Sequence, residues 1–570
     1  MNYIIKDNIT IKEQPKGSCV NDTRQTSLLY IVKDDTIIFS PTYNELINSD
    51  LVSNYKKIIF SDFKLKDCLF NKYTSNNFMN LKYIESKFNH PVDNLPHILK
   101  YLTFGYYFNQ PVDNLPQELI RLTFGYCFNQ HVDNLPQELI RLTFGYCFNH
   151  PVNNLPPILK YLTFGKQFNH SINKLPLTLT RLTFSVHNFN MSYVFNHPIV
   201  KLPIHLTHLT FGDKFNQKLN DLPSYLTHLT FGFYFNQSVD NLPKHLTHLT
   251  FGDKFNQRVD NLSKKLIHLT FGSDFNQSVD NLPNSLTHLT FSNKFNQSVN
   301  NLSCALTHLA FGSDFNQSVN KLPYALTHLA FGSDFNQSVN NLPYALTHLA
   351  FGDSFNQPVN NLHPTLTYLT FGFDFNQPVN NLPSTLTHLY FSSDFNQPVN
   401  NLPSTLTQLT FGDNFNQPVN NLPQKLTRIT FGKLFNSTIK NLPHELIQLT
   451  FNTEFYKPIE LPFNIKYLEI NCNNQYLIDS LPNSVEELEF GYYFDLELNN
   501  LPSSIKKIIF NMHSNYSKEL NCLPNFIELL QLPKKYDKKI LKIPTELKKI
   551  ICSSDYKFIE DFNKKSIETY

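Results

Sequence analysis

Leu306-Thr307-His308-Leu309-Ala310-Phe311-Gly312-Ser313-Asp314-Phe315-Asn316-Gln317-Ser318-Val319-Asn320-Lys321-Leu322-Pro323 decides the fold, because its pattern returns every 20 residues along most of the chain. In the unit Leu306 to Ala325, apolar residues stand at places 1, 4, 6, 10, 14 and 17; Leu386, Leu389, Phe391, Phe395, Val399 and Leu402 hold the same places further on. A long helix needs apolar residues at i, i+3, i+4 and i+7, and a hairpin strand needs strict alternation. The spacing fits neither and suits a coil that turns inward at each apolar place.

Working outward from that unit, the Leu-Pro pair at places 17 and 18 keeps the register. It starts at Leu95, Leu115, Leu135, Leu155 and Leu175, then at Leu202 and at each twentieth residue to Leu442, with Ser263, Ser303 and His363 replacing Pro. Leu461, Leu481, Leu501, Leu523 and Ile543 continue it loosely, which makes 23 markers in all. Upstream, Tyr55-Lys-Lys-Ile58-Ile-Phe60 and Phe78-Met-Asn-Leu81-Lys-Tyr83 share the L-x-x-L-x-F form. Repetition on this scale overrides a domain count based on length and points to a solenoid. The expected organisation is a cap with a β-hairpin at 1–54, degenerate leading coils at 55–87, regular coils at 88–460 with an insertion at 185–192, degenerate coils at 461–552 and a tail at 553–570. In the cap, Leu28 to Val32 and Thr36 to Ser40 flank Lys33-Asp34-Asp35 and predict the hairpin.

L-x-x-L-x-F predicts a short strand with places 4 and 6 inward, because side chains alternate across a strand. Successive coils then stack as one parallel sheet, and the Pro-containing return arc is extended and not helical. Gly at place 7 supplies a bend, and Ser185, Ser292 and Ser392 at that place argue that positive φ is not required. Phe-Asn at places 10 and 11 predicts a ladder in which each Asn amide satisfies corner backbone groups and stacks on its neighbours.

Places 3 and 5 must face outward. Place 3 holds Tyr101, Arg121, Arg141, Tyr161 and Arg181, then His208, His228, His248, His268, His288, His308, His328 and His348, then Tyr368 and His388. Three readings compete for this column: solvated polar surface, a partner-binding face rich in interface-forming residues, and metal capture, which lacks any second-shell carboxylate. At strand spacing the imidazoles are close enough to disfavour joint protonation, so titration below about 6.5 is expected. Place 5 is mostly Thr or Ala, and places 8 and 9 vary most. Cys127 and Cys147 take equivalent places in adjacent coils, where parallel Cβ vectors favour free thiols.

Composition narrows the function classes. A formal charge of +2, with 48 basic and 46 acidic residues and no dominant basic block, argues against nucleic acid. No apolar run has signal-peptide or membrane-spanning length. Eight Cys without a C-x-x-C pair read as reduced thiols in the cytoplasm. Neither a Gly-rich phosphate loop nor H-E-x-x-H nor a nucleophile elbow occurs, and the abundant His and Asp are periodic, whereas a catalytic centre needs non-equivalent residues converging. Hence no enzyme, cofactor or metal site is expected.

Phe355-Asn-Gln-Pro-Val359 and Phe375-Asn-Gln-Pro-Val379, followed by Asn-Asn-Leu-Pro-x-x-Leu-Thr-x-Leu, resemble the FNIP repeat, a leucine-rich-repeat-like family of amoebae and of the large DNA viruses that infect them. Gln or His takes the Ile place of that motif, and Ser often takes its Pro place. The resemblance implies a non-enzymatic role, and in relatives that carry an F-box it implies recruitment of substrates to a ubiquitin ligase; residues 1–54 show no F-box pattern. The sequence therefore predicts an all-β repeat solenoid, a leucine-rich-repeat-like right-handed coil with one parallel sheet and roughly 100 Å long at one strand spacing per coil. It is expected to act as a monomeric interaction scaffold that binds a protein along the exposed sheet face, with no nucleic-acid or membrane partner. The alternatives are a ubiquitin-ligase adaptor without an evident F-box and an inert structural or virion component; a viral member would work in the host cytoplasm.

Overall fold

Places 3 to 5 of a coil form a strand of three residues, as at His308–Ala310, and a shift of one coil lays it against its own repeat. His308 pairs with His328, Leu309 with Leu329 and Ala310 with Ala330, in parallel. Identical residues therefore stack into columns, and the apolar period fixes the register, because a slip of one residue would turn Leu309 and Leu329 out into water. The computed structural model describes residues 3–5, 9–13, 28–62, 85–184, 194–563 and 566–570. Contacts divide it into two units, Met1–Leu286 and Thr287–Tyr570, and each is a parallel β solenoid of this kind. The expected coil at Phe78 to Tyr83 and the insertion at 185–192 lie outside the described residues.

Three β-turns and the strand close each coil. Phe355 N–H donates to Gly352 O at 3.4 Å, Leu282 N–H to Val279 O at 3.3 Å and Leu326 N–H to Pro323 O at 3.2 Å. These turns, with extended stretches between them, make the return arc non-helical. Among the described residues the helices are short, as at Ser49–Val52 and Gln475–Asp479.

Phe fills the interior. Within a coil Phe311 and Phe315 stack at 3.7 Å, and between coils Phe311 lies 5.7 Å from Phe331 and Phe315 6.0 Å from Phe335. Leu306, Leu309, Phe315 and Val319 are all buried, each contributing about 1.5–3 kcal/mol by leaving water.

Place 17 departs from the expectation that it turns inward everywhere. Leu322 and Leu342 are only half-buried, while Pro323 and Pro343 are buried. Proline lacks an N–H, so it can face the core without stranding a donor. Where Ser takes its place, the hydroxyl compensates: buried Ser263 donates to Lys244 O at 2.8 Å and accepts from Lys265 N–H at 3.2 Å. Where His363 takes it, the imidazole is exposed and Leu362 turns in.

Where place 7 is Gly, closeness and not a dihedral angle is the reason, as at Gly332. No glycine among the described residues has positive φ; instead a Cβ on Gly332 would collide with the carbonyl of Gly312 in the coil before it.

Both ends are built from added strands. Leu28–Lys33 and Thr36–Phe39 form the antiparallel hairpin, with Asp34 at φ 51° in its turn. Thr36–Phe39 then pairs in parallel with Lys57–Phe60. At the other end Ile567–Thr569 pairs in parallel with Lys549–Cys552. Tyr replaces Phe at place 10 in the last coils, where Tyr536 Oη donates to Lys518 O at 3.1 Å and Tyr556 Oη to Lys538 O at 2.6 Å.

Candidate functional site

Alternation sends place 3 outward, and in-register pairing turns it into a column within each of the two units. His208 and His228 rings stack at 4.1 Å, His228 and His248 at 4.1 Å, and His248 and His268 at 4.4 Å. In Thr287–Tyr570 the pairs His288–His308, His308–His328 and His328–His348 stack at 4.2, 4.2 and 4.3 Å. Tyr368 interrupts the stack, 5.5 Å from His348 and 5.6 Å from His388. Earlier, Tyr101 pairs with Arg121, Arg121 with Arg141 and Arg141 with Tyr161; the Arg141 guanidinium lies 4.4 Å above the Tyr161 ring. Arg181 pairs with both Tyr161 and His208.

These ring distances measure the bend of the sheet. Parallel strands lie about 4.8 Å apart, yet the outward His rings are closer than that and the inward Phe rings are farther apart. His308 and His328 stand 4.2 Å apart at 11°, Phe311 and Phe331 5.7 Å apart at 7°. Neighbouring coils fan open on the Phe side and close on the His side, so within each unit the outward face is concave.

Threonine at place 2 locks the imidazoles. Thr307 Oγ1 donates to Thr287 O at 3.1 Å and lies 2.9 Å from His308 Nδ1; Thr327 and His328 repeat the arrangement at 3.1 and 2.9 Å. The short Oγ1–Nδ1 contact holds each of these rings with Nδ1 turned to its threonine. The rings held in this way point alike and do not converge; His268 is preceded by Ile267 instead of Thr. Among the described residues no group of three or more His, Cys, Asp or Glu is arranged to hold a metal ion.

Burial pushes His208, His228 and His248 below the ordinary 6.5, helped by the charge of Arg181 on the first two and of neighbouring imidazoles on all three. His328 and His388 move the same way, again chiefly through burial.

Place 5 was read only as mostly Thr or Ala, and there the structure adds a feature. Ala310, Ala330 and Ala350 follow one another where neighbouring coils carry Thr290 and Thr370, and an open trough of about 400 Å³ runs over them. His308, His328 and His348 wall it, and Tyr368 stands at its end. The signal was present as three consecutive Ala in a Thr column, but a volume can be read only once the coils are stacked.

Beside the strand exit, Tyr106, Tyr126 and Tyr146 stack at 4.5 and 4.3 Å, and Lys166 Nζ lies 5.1 Å from the Tyr146 ring. Cys127 and Cys147 are free thiols, both pushed up by burial.

The Asn ladder is present with a different wiring from side chain on side chain. Asn316 Oδ1 accepts from Asn336 N–H and from Gln337 Nε2, each at 3.0 Å. The side chain is half-buried at the corner. Where His replaces Gln, His170 Nε2 lies 3.0 Å from Asn149 O instead. In the last coils place 2 alternates in sign as Lys466, Glu486, Lys506, Glu528 and Lys548, and Glu486 bridges Lys466 at 3.2 Å and Lys506 at 2.8 Å.

The FNIP repeat profile matches the chain eleven times, within residues 88–186, 195–294, 335–434 and 455–513. A crystal structure of the giant-virus protein CroV588, described as a novel circular LRR protein, is 33% identical, with coverage of 95% of this chain and 99% of that one and a TM-score of 0.70. YopM from Yersinia enterocolitica is 19% identical, with coverage of 82% of this chain and 80% of that one and a TM-score of 0.33. No curated protein matches in sequence. Among the described residues no helix is long and apolar enough to cross a membrane.

Proposed function

Because the chain belongs to the FNIP repeat family, we propose that it is a non-enzymatic interaction scaffold that binds a partner protein along the outward columns of its sheet. One observation carries this reading: the place-3 side chains stand in in-register columns on a face that is concave within each unit, and Thr hydroxyls hold imidazoles such as His308 and His328 in one orientation. Preorganised side chains lose little freedom on binding, which favours recognition. The residues proposed to bind are Tyr101, Arg121, Arg141, Tyr161 and Arg181 with the His column and Tyr368. Chemistry is disfavoured at such a face, since equivalent groups repeat and none converge.

The proposal includes action as a monomer in the cytoplasm, without nucleic acid or a membrane as partner. Free Cys127, Cys147, Cys304, Cys472, Cys522 and Cys552 support a reducing compartment, and the balance of 48 basic against 46 acidic residues supports a protein partner.

The test is affinity capture with quantitative mass spectrometry from cells that naturally express the gene. Wild type is compared with a face variant (Arg121→Ser, Arg141→Ser, His308→Ser, His328→Ser) and a return-arc variant (Tyr324→Ser, Asn340→Ser). Proteins lost only with the face variant support the reading; proteins lost only with the return-arc variant overturn it. Cullin and Skp-type proteins among the specific partners would make the scaffold a ubiquitin-ligase adaptor, and recovery only with virions would make it a structural component.

A further inference from the structure

The trough over Ala310, Ala330 and Ala350 differs from the rest of the sheet face in depth, lining and surrounding charge. Its floor is methyl groups and strand backbone, and one wall is stacked imidazole. A volume of about 400 Å³ falls within the roughly 300–1,000 Å³ of ligand pockets. Its open side suits a side chain carried by a larger partner better than a small molecule, which pockets normally enclose on most sides.

The net charge around it is negative. From Thr287 to Asn400 the basic residues are Lys294 and Lys321 and the acidic ones are Asp314, Asp334, Asp353, Asp374 and Asp394, so the stretch carries 2 − 5 = −3 with His neutral. Asp314, Asp334, Asp353 and Asp374 are exposed on the turns that leave the strands. Asp314 follows the floor residue Ala310 by four residues, at most roughly 13 Å of chain, within reach of a long cationic side chain on the same partner. The imidazole wall adds polar ring edges beside the floor, held in place by Thr307 and Thr327.

The geometry points to a docking site for a cationic, aromatic-bearing segment of a partner protein: an aromatic side chain lies on the Ala floor against the His wall, and an adjacent Arg or Lys reaches the Asp column. This assignment rests on the reading of the sheet face as the partner surface and adds the chemistry of what one part of it takes. An aromatic ring covers the apolar floor with little loss of side-chain freedom. Arg supplies the N–H donors that the carboxylates lack.

The test uses the full chain in fluorescence anisotropy with three fluorescein-labelled 12-residue peptides, repeating Phe-Arg-Gly, Phe-Glu-Gly and Ser-Arg-Gly. The Phe-Arg-Gly peptide should bind at least tenfold more tightly than either other peptide. Filling the trough by Ala310→Thr, Ala330→Thr and Ala350→Thr, which installs the residue of the neighbouring coils, should weaken it tenfold or more. Asp314→Asn, Asp334→Asn and Asp353→Asn together should weaken it severalfold and flatten its salt dependence. Equal binding of Phe-Arg-Gly and Ser-Arg-Gly, equal binding of Phe-Glu-Gly, or indifference to the Ala→Thr changes overturns the proposal. So does self-association in sedimentation equilibrium that the Ala→Thr changes abolish, which would make a second copy the occupant. If the filled variant keeps its partners in the cellular capture while the face variant loses them, the trough assignment fails alone and the wider reading of the face stands.

Discussion

From Tyr101 to Phe184 the outward column carries Tyr and Arg, with stacked Tyr106, Tyr126 and Tyr146 beside it; from His288 to Tyr368 it carries stacked His above an Ala floor, with Asp beside it. Beneath these two surfaces the interiors are the same. Phe124 and Phe128 stack at 3.7 Å, as Phe311 and Phe315 do, and Phe124 lies 5.7 Å from Phe144, as Phe311 does from Phe331. The comparison separates two jobs within one repeat. Places 1, 4, 6, 10 and 14 are bound by packing on both sides, while places 3, 5, 8 and 9 answer only to their own column and can change without cost to the coil. The last coils are a third case, since their alternating Lys and Glu neutralise one another.

If the interiors are equivalent, Phe128→Ala and Phe315→Ala should each cost about 3–5 kcal/mol, seen as a lowered denaturation midpoint and lost amide protection in the adjoining coils. A difference of more than about 2 kcal/mol between them would break the equivalence. Next in size, Gly145→Ala and Gly332→Ala should each cost about 1–3 kcal/mol through overpacking, because in both regions the added Cβ meets the preceding coil's carbonyl; thermal melts that match wild type would remove closeness as the reason for glycine there.

The Asn ladder should distinguish the two regions. Asn316 Oδ1 accepts two bonds, and Asn316→Ala should cost about 1–3 kcal/mol. Asn149 Oδ1 accepts from Asn169 N–H, while His170 turns to the backbone, so Asn149→Ala should cost less; chemical denaturation of the pair checks the order.

The smallest effect is electrostatic. His208, His228 and His248 should titrate below 6.5 in NMR, since burial and neighbouring charge hold them down. An unfolded imidazole takes its proton near 6.5 and the folded one only at lower pH. In that window the unfolded chain binds more protons, so this contribution is fully present above 6.5 and is lost as pH falls from there to the folded value. Replacing the three His by Gln should flatten this acid limb of the stability curve. Titration at 6.5 by all three would show that the rings do not stack.

Much of this was legible in the residues. The 20-residue return of L-x-x-L-x-F and Phe-Asn implied parallel coils, because one shift superposes every apolar place on itself; His308 lying against His328 follows from that shift alone. The alternation of places 3 and 4 implied which column faces out. Place 17 was less legible, because Leu322 and Pro323 are both apolar and only the turn decides that the ring without an N–H takes the interior. The wiring of Asn316 was also out of reach, since amide to amide and amide to backbone satisfy the same count of bonds.

The sequence by itself determined the coil, its register and the identity of the outward columns, since these depend on a period and on the need to bury Leu, Phe and Val. Tertiary structure alone decided the concavity of the sheet within each unit, the threonine-held orientation of His rings such as His308 and His328, and the trough over Ala310, Ala330 and Ala350. Each of these arises from distances between coils, which are set by how Phe rings and backbone carbonyls stack in space and not by the order of residues along the chain.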